Sequence, residues 1–290
     1  MKKSNLILCS LLFVLCSLIN SCKEVGPDIN LHGNENVVAD TTYIESSVQS
    51  AEVKNVIIEE FTGVRCTNCP AGHTLLRSIQ NANPGRVVAV SLHPRNTLGT
   101  PYAFSNQDLR NDKANSLWAT YLPDQGFEPE AAVDRKLFSG ETALLLDRSL
   151  WTGYASQQLA QTTPVNLKLE SSYDSTTHQA TVVVELHYTQ NVTEENKLTV
   201  LFTESDITTA QLNNSTIDTF YTHKDVMRDY ITDTQGDAIT QTREAGRVVR
   251  KVYKKMLDAA WKPENVSVVA FVHEHLNSKL VYQVKEVEVE

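Results

Sequence analysis

The chain has 290 residues, 41% of them hydrophobic, and carries a formal net charge of −9. That length suits one large or two ordinary domains. The acidic balance, with no Lys/Arg cluster to offset it, excludes a nucleic-acid partner from the expectations.

Met1-Lys2-Lys3 precedes an apolar stretch from Leu6 to Ile19, and Asn20-Ser21-Cys22 follows. A basic start and a short apolar run make a signal-peptide pattern, too short to span a bilayer comfortably. Ile19-Asn20-Ser21-Cys22 looks like a bacterial lipobox. It predicts a lipoprotein signal peptide over 1–21 and lipidation at Cys22. The alternative is an ordinary signal peptide cut nearby, with Cys22 left free. No later apolar run is long enough for a membrane helix, so attachment to the membrane is expected through the lipid anchor at Cys22 alone. Residues 22–50 are polar, contain Gly26-Pro27 and Gly33, and read as a flexible tether.

Residues 51–162 alternate strand and helix. Val56 to Phe61 reads as a buried strand. Thr67 to Asn81 reads as a helix, with Ala71, Leu75 and Ile79 on one stripe and Pro84-Gly85 ending it. Arg86 to Leu92 is a second apolar strand. Gly99 to Leu122 is a polar, helical insertion closed by Pro123. Glu130 to Asp134 is a third short strand, and Thr142 to Gln161 a Leu/Ala-rich helix. Strand–helix–strand order with helix-length connections predicts a parallel α/β sheet.

Residues 163–290 change character. Val165/Leu167/Leu169, Val182/Val184/Leu186/Tyr188, Leu198/Val200/Phe202, Val266/Val268/Ala270/Val272 and Leu280/Tyr282/Val284 each alternate with polar residues. Half-buried strands of this kind predict an antiparallel, Ig-like β-sandwich. A long insertion over 206–245 interrupts them. A loop of that length in a compact domain is usually functional when ordered.

There are five cysteines: Cys9, Cys16, Cys22, Cys66 and Cys69. Loss of the signal peptide and lipidation of Cys22 would leave Cys66 and Cys69 as the only free thiols, in an oxidising compartment. Cys66-Thr67-Asn68-Cys69 follows a strand and opens a helix, the arrangement of a thioredoxin-like redox motif. The helix N-terminus and Arg65 favour the thiolate of Cys66 as attacking group. Cys69, one turn on, resolves the mixed disulfide. Glu60 shares a strand face with Val56 and Ile58, where its carboxylate can take the proton of the resolving thiol. The alternative for Glu60 is a strand-end residue facing solvent. Alternatives for the cysteine pair are a structural disulfide, or a zinc site that needs two further ligands, with His73 able to supply one. His273 and His275 share a strand face and are either a metal pair or a solvated strand end. No Gly-rich phosphate loop, HExxH or G-x-S-x-G is present, so no cofactor is expected.

The run Val56-Ile57-Ile58-Glu59-Glu60-Phe61-Thr62-Gly63-Val64-Arg65-Cys66-Thr67-Asn68-Cys69-Pro70 resembles the opening of the Omp28-like outer-membrane lipoproteins of Gram-negative anaerobes. Further matches are Pro129 with Ala132-Val133-Asp134-Arg135, His223-Lys224-Asp225-Val226-Met227-Arg228, and Gly236-Asp237-Ala238-Ile239. The resemblance implies an α/β thioredoxin-like domain followed by an all-β sandwich. It implies Cys66 as attacking thiol, Cys69 as resolving thiol, Glu60 as buried acid and Pro129 as a cis-proline beside them. Arg65 stands where thioredoxins carry an aromatic residue, Thr67-Asn68 replaces their Gly-Pro, and the last strand of the sheet is hard to find after Arg135. The expected activity is disulfide exchange with envelope or surface proteins, at the outer membrane on its periplasmic or outer face. The alternative is a non-enzymatic surface binding protein or adhesin in which the pair is a structural disulfide.

Overall fold

The computed structural model describes residues 34–123 and 126–289. The predicted signal peptide, Cys22 and the first part of the predicted tether lie outside the described residues.

Strand β1 (Val37–Ile44) falls inside the segment read as a tether. It pairs antiparallel with β15 (Arg247–Met256) from Val37↔Tyr253 to Ile44↔Arg247. Its residues are mostly exposed, as an edge strand's are, so composition alone hid it. Strand β2 (Val56–Phe61) leads to helix α1 (Cys69–Ala82) and then β3 (Val87–Leu92), which is parallel to β2. The segment after β3 holds a short helix α2 (Asp112–Ser116), capped by the Asn111 side chain, and one π-helical turn (Leu117–Tyr121). Strand β4 (Glu130–Val133) returns antiparallel to β2, and β5 (Leu145–Asp147) is antiparallel to β4. The wholly parallel sheet of the sequence reading is corrected here: only β2 and β3 are parallel within this part. The elusive last strand is β5, three residues long. Helix α3 (Arg148–Leu159) starts six residues after Thr142, where Asp147 caps it.

The second half supplies β6 (Val165–Asp174), β7 (Gln179–Tyr188) and β8 (Asn196–Glu204). The 206–245 insertion is built from short strands: β9 (Ile207–Thr208), β10 (Gln211–Asn213), β11 (Thr216–Asp218), β12 (Thr222–His223), β13 (Val226–Tyr230) and β14 (Asp237–Ala238). After β15 come β16 (Val266–Glu274) and β17 (Val281–Glu288).

The protein is mostly β, with several sheets. One sheet has the order β1-β15-β7-β6; a nine-stranded sheet runs β17-β16-β8-β13-β3-β2-β4-β5, with β14 also on β8. Strand β13 is the seam of the larger sheet. It lies antiparallel to β8 and parallel to β3, where Val226 pairs with Ser91. The two segments predicted as separate domains therefore share one sheet, and residues 34–290 form one compact unit.

Three apolar layers follow. Val165, Leu167, Val182, Val184 and Leu186 face Val200, Phe202, Val268 and Ala270 between the two large sheets. Leu201, Val269 and Phe271, on the opposite face of β8 and β16, join Ile57, Phe61, Val90 and the helical residues Ala114 and Leu117. Val56, Ile58 and Ala89 pack under α1 and α3 through Leu76, Ile79, Trp151 and Ala155. Strands β8 and β16 are thus covered on both faces, which the simple alternation of a half-buried strand does not anticipate.

Candidate functional site

Alternation along β2 divides its two acids. Glu59 faces the layer of Ile57 and Phe61; Glu60 follows Val56 and Ile58 toward α1. Both are fully buried. Glu59 accepts two hydrogen bonds of 2.6 Å from the Arg135 guanidinium, which also lies over the rings of Tyr121 and Phe271. Burial opposes the charge of Arg135, and Glu59 more than restores it. Beside this pair, Lys54 bridges Asp134 at 2.9 Å. Burial raises the Asp134 carboxyl to about 6, against the pull of Lys54. Asp134 and Arg135 of the resemblance motif are therefore charged anchors within the core.

Glu60 has no such cation. Its Oε2 lies 3.6 Å from His73 Nε2, beyond hydrogen-bond reach, and Arg77 and the Ser91 hydroxyl are the groups that favour its charge. Burial, reinforced by Glu128, pushes its carboxyl well above the usual range. The solvent-facing alternative for Glu60 is excluded. Its place is set by Gly72, one helical turn after Cys69. A β-carbon on Gly72 would stand 2.6 Å from Glu60 Oε1 and 3.0 Å from Pro129 Cγ. The absent side chain lets the carboxylate and the proline meet the helix beneath Cys69.

Between β2 and α1 the chain turns tightly. Gly63 passes the Leu98 carbonyl so closely that a β-carbon would be 2.6 Å from it. Arg65 N–H donates to Leu98 O, Cys66 N–H to Gly63 O, and Cys69 N–H to Cys66 O. The helix begins at Cys69 rather than at Thr67, so Cys69 is its first residue and Cys66 lies on the turn before it. Pro70 occupies the first turn, where no intrahelical N–H is required. Cys66 and Cys69 are joined by a disulfide, S–S 2.07 Å. Arg65 does not serve as a dedicated counter-charge. Its guanidinium donates to the carbonyls of Thr100 and Pro101 and stacks on Tyr102.

The Glu128–Pro129 peptide is cis, as the resemblance implies. The two sulfurs and a Glu128 carboxylate oxygen lie within 4.8 Å of one another. Sequence reasoning missed Glu128, although its place before Pro129 was the available signal.

The 206–245 insertion covers the turn. Gln211 donates from Nε2 to the carbonyls of Gly63 and Cys66, each at 3.2 Å. Leu212 N–H donates to Val64 O, and Asn214 N–H to Thr67 O. Cys66 is 3% exposed and Cys69 0%. The insertion also brings Tyr221 to His73, whose Nδ1 is 2.8 Å from the hydroxyl, while Nε2 is 3.0 Å from Thr62 Oγ1. His223 stacks edge-on against His73, His93 and Tyr221, and the three histidines line a cavity of about 10 Å³. Burial lowers His73 to about 3 and His223 to about 4, and holds His93 far below the usual range, so all three are neutral. Dispersal at positions 73, 93 and 223 kept this cluster out of the sequence reading.

His273 and His275 do not converge on a metal site. His273 is buried between Thr199 and the Glu274 carbonyl. Among the described residues, Cys66, Cys69 and Glu128 are the one group of three such side chains with ligand atoms close enough to share an ion. No helix among them is long and apolar enough to cross a membrane.

These features define a mostly β protein with a disulfide buried at a helix start, near a fully buried carboxylate. The family model for Outer membrane protein Omp28 matches residues 124–290, more than half of the chain. The chain belongs to that family, and its location is the outer membrane. The match contains Glu128 and Pro129 and leaves the disulfide outside it. The solved structure of HBP35 of Porphyromonas gingivalis is 19% identical, with a TM-score of 0.64 over 83% of this chain and 77% of that one. A protein of Agrobacterium tumefaciens is 13% identical, with a TM-score of 0.53 over 83% and 97%. A domain of the outer membrane lipoprotein Omp28 from Porphyromonas gingivalis is 18% identical, with a TM-score of 0.33 over 44% and 89%. No curated protein matches the chain.

Proposed function

We propose that the chain is a lipid-anchored outer-membrane protein whose Cys66–Cys69 pair exchanges disulfides with envelope or surface proteins. In this reading residues 51–162 are a thioredoxin-like unit and 163–290 an Ig-like sandwich that docks the partner. Cys22 carries the lipid. The observation that carries the reading is Glu60. An acid fully buried without a close ion pair costs stability, which is how protein interiors treat groups kept for chemistry.

In the reducing direction the Cys66 thiolate attacks a sulfur of the substrate disulfide and expels the other as thiolate. Cys69 gives its proton to Glu60 and attacks the Cys66 sulfur. The Cys66–Cys69 bond forms, and both electrons leave on the substrate dithiol. The oxidising direction is the reverse. Burial raises the Glu60 carboxyl, which makes it a stronger proton acceptor. Pro129 lies against the helix turn below the pair and shapes the site from the β4 side.

The second reading, a binding protein with a structural disulfide, is favoured by one observation: the pair is buried under Gln211 and Leu212. The test is catalysed reduction or oxidation of a model disulfide by wild type, Cys66→Ser and Glu60→Gln. Exchange by wild type, none by Cys66→Ser, and a roughly hundredfold slower rate for Glu60→Gln are expected. An inert wild type that binds the same partner as Cys66→Ser would overturn the enzymatic reading in favour of the second. Radiolabelled palmitate incorporation, lost in Cys22→Ala, tests the anchor.

A further inference from the structure

We propose that reduction of the Cys66–Cys69 disulfide creates a three-ligand site for Zn²⁺ or an ion of similar softness, formed by the two thiolates and the Glu128 carboxylate. The site is closed while the disulfide is intact, because the sulfurs then share their electrons with each other. Metal binding is thereby gated by redox state.

Three observations carry this. The first is geometry: both sulfurs and a Glu128 oxygen already lie within 4.8 Å of one another, and the Cα atoms of the pair are 5.4 Å apart. Cysteines three positions apart on a turn are the usual half of a zinc site. The second is charge. Two thiolates beside the Glu128 carboxylate gather negative charge. Arg65 is spent on Thr100, Pro101 and Tyr102. A divalent ion balances that set. Sulfur donors select zinc-like ions over Mg²⁺ and Ca²⁺. The third is support and access. Asn96 Nδ2 donates to Glu128 Oε1, holding the carboxylate in place. A surface cavity of about 170 Å³, lined by Asn96, Leu98, Trp118, Phe127 and Glu128, leads to it. Three protein ligands leave a fourth position for water or a substrate group.

A phosphine reductant breaks the S–S bond and leaves as its oxide, taking oxygen from water, whose two protons go to the sulfurs. The incoming divalent ion then displaces both thiol protons to solvent. This goes beyond disulfide exchange with a substrate and needs only a reducible disulfide.

The test is titration of the phosphine-reduced full chain with Cd²⁺ or Co²⁺ without air, following the thiolate-to-metal charge-transfer band. One equivalent is expected to saturate the band. Oxidised protein and Cys66→Ser, which retains the other cysteines, should lack it. Glu128→Gln should weaken binding by tenfold or more. No saturable band in the reduced protein would overturn the proposal. Glu128→Gln binding as tightly as wild type would also overturn it, since the dithiol alone would then suffice. Exchange activity measured in excess chelator is independent of both results.

Discussion

Gly72 and Glu60 are complementary: the β-carbon that Gly72 lacks would fall 2.6 Å from the carboxylate oxygen of Glu60. The helix that begins at Cys69 can lie close to β2 only because that space is open. Gly72→Ala must push Glu60 and Pro129 aside. A loss of about 1–3 kcal/mol is expected, read by urea denaturation. Glu60→Ala in the same background should recover part of it.

Glu60 also sets a pH dependence. Its carboxyl is raised in the folded protein, so between the unfolded value near 4.5 and the folded value the native state holds more protons than the unfolded one. Stability from this group is complete below about 4.5 and declines as pH rises toward the folded value. Glu60→Gln should therefore gain stability over wild type at pH 8 and show little difference at pH 4, in denaturation curves at the two pH values.

His73, His93 and His223 act in the opposite sense. Each is held neutral by burial, so the unfolded chain binds more protons below about 6.5. Stability is complete above 6.5 and falls as pH drops toward 4, by about 1.4 kcal/mol per pH unit for each group. His93 is fully buried, with burial the largest cause of its shift. His93→Leu should flatten the slope between pH 6 and 4.5, measured by thermal unfolding across that range.

Arg135 and Glu59 form a buried bidentate pair with both side chains fully enclosed. Arg135→Met alone leaves a carboxylate without a counter-ion and should cost about 3–5 kcal/mol. Arg135→Met with Glu59→Gln should cost clearly less than Arg135→Met alone. Chemical denaturation of the three proteins checks this.

Gln211 fastens the insertion over the disulfide turn through two carbonyls. Gln211→Ala removes both hydrogen bonds, each worth about 1 kcal/mol. The reduced protein should then alkylate at Cys66 several-fold faster than wild type, read by the rate of iodoacetamide labelling.

Much of this was written locally in the chain. Strand β2, helix α1 and the Pro84-Gly85 break follow from periodicity. The burial of Glu60 follows from its phase with Val56 and Ile58. The remainder depends on contacts between distant segments. The residues of β13 give too short a run to stand out, yet they join β8 to β3. Strand β1 is mostly exposed, and becomes a strand only through β15. The cover over Cys66 comes from Gln211 and Leu212, well over a hundred residues away, and no pattern near the cysteines announces it. Arg65 was a plausible partner for the thiolate by adjacency, but adjacency does not fix the direction of a long side chain.

Strand β13 also bears on how the chain can be divided. Cutting between residues 162 and 163 would leave the apolar strand β3 with an open edge in one fragment, and β13 without its β3 neighbour in the other. Bare apolar edges invite pairing with other chains. Recombinant halves made at that boundary are therefore expected to aggregate, and useful deletions will be those that keep residues 226–230 with both β3 and β8.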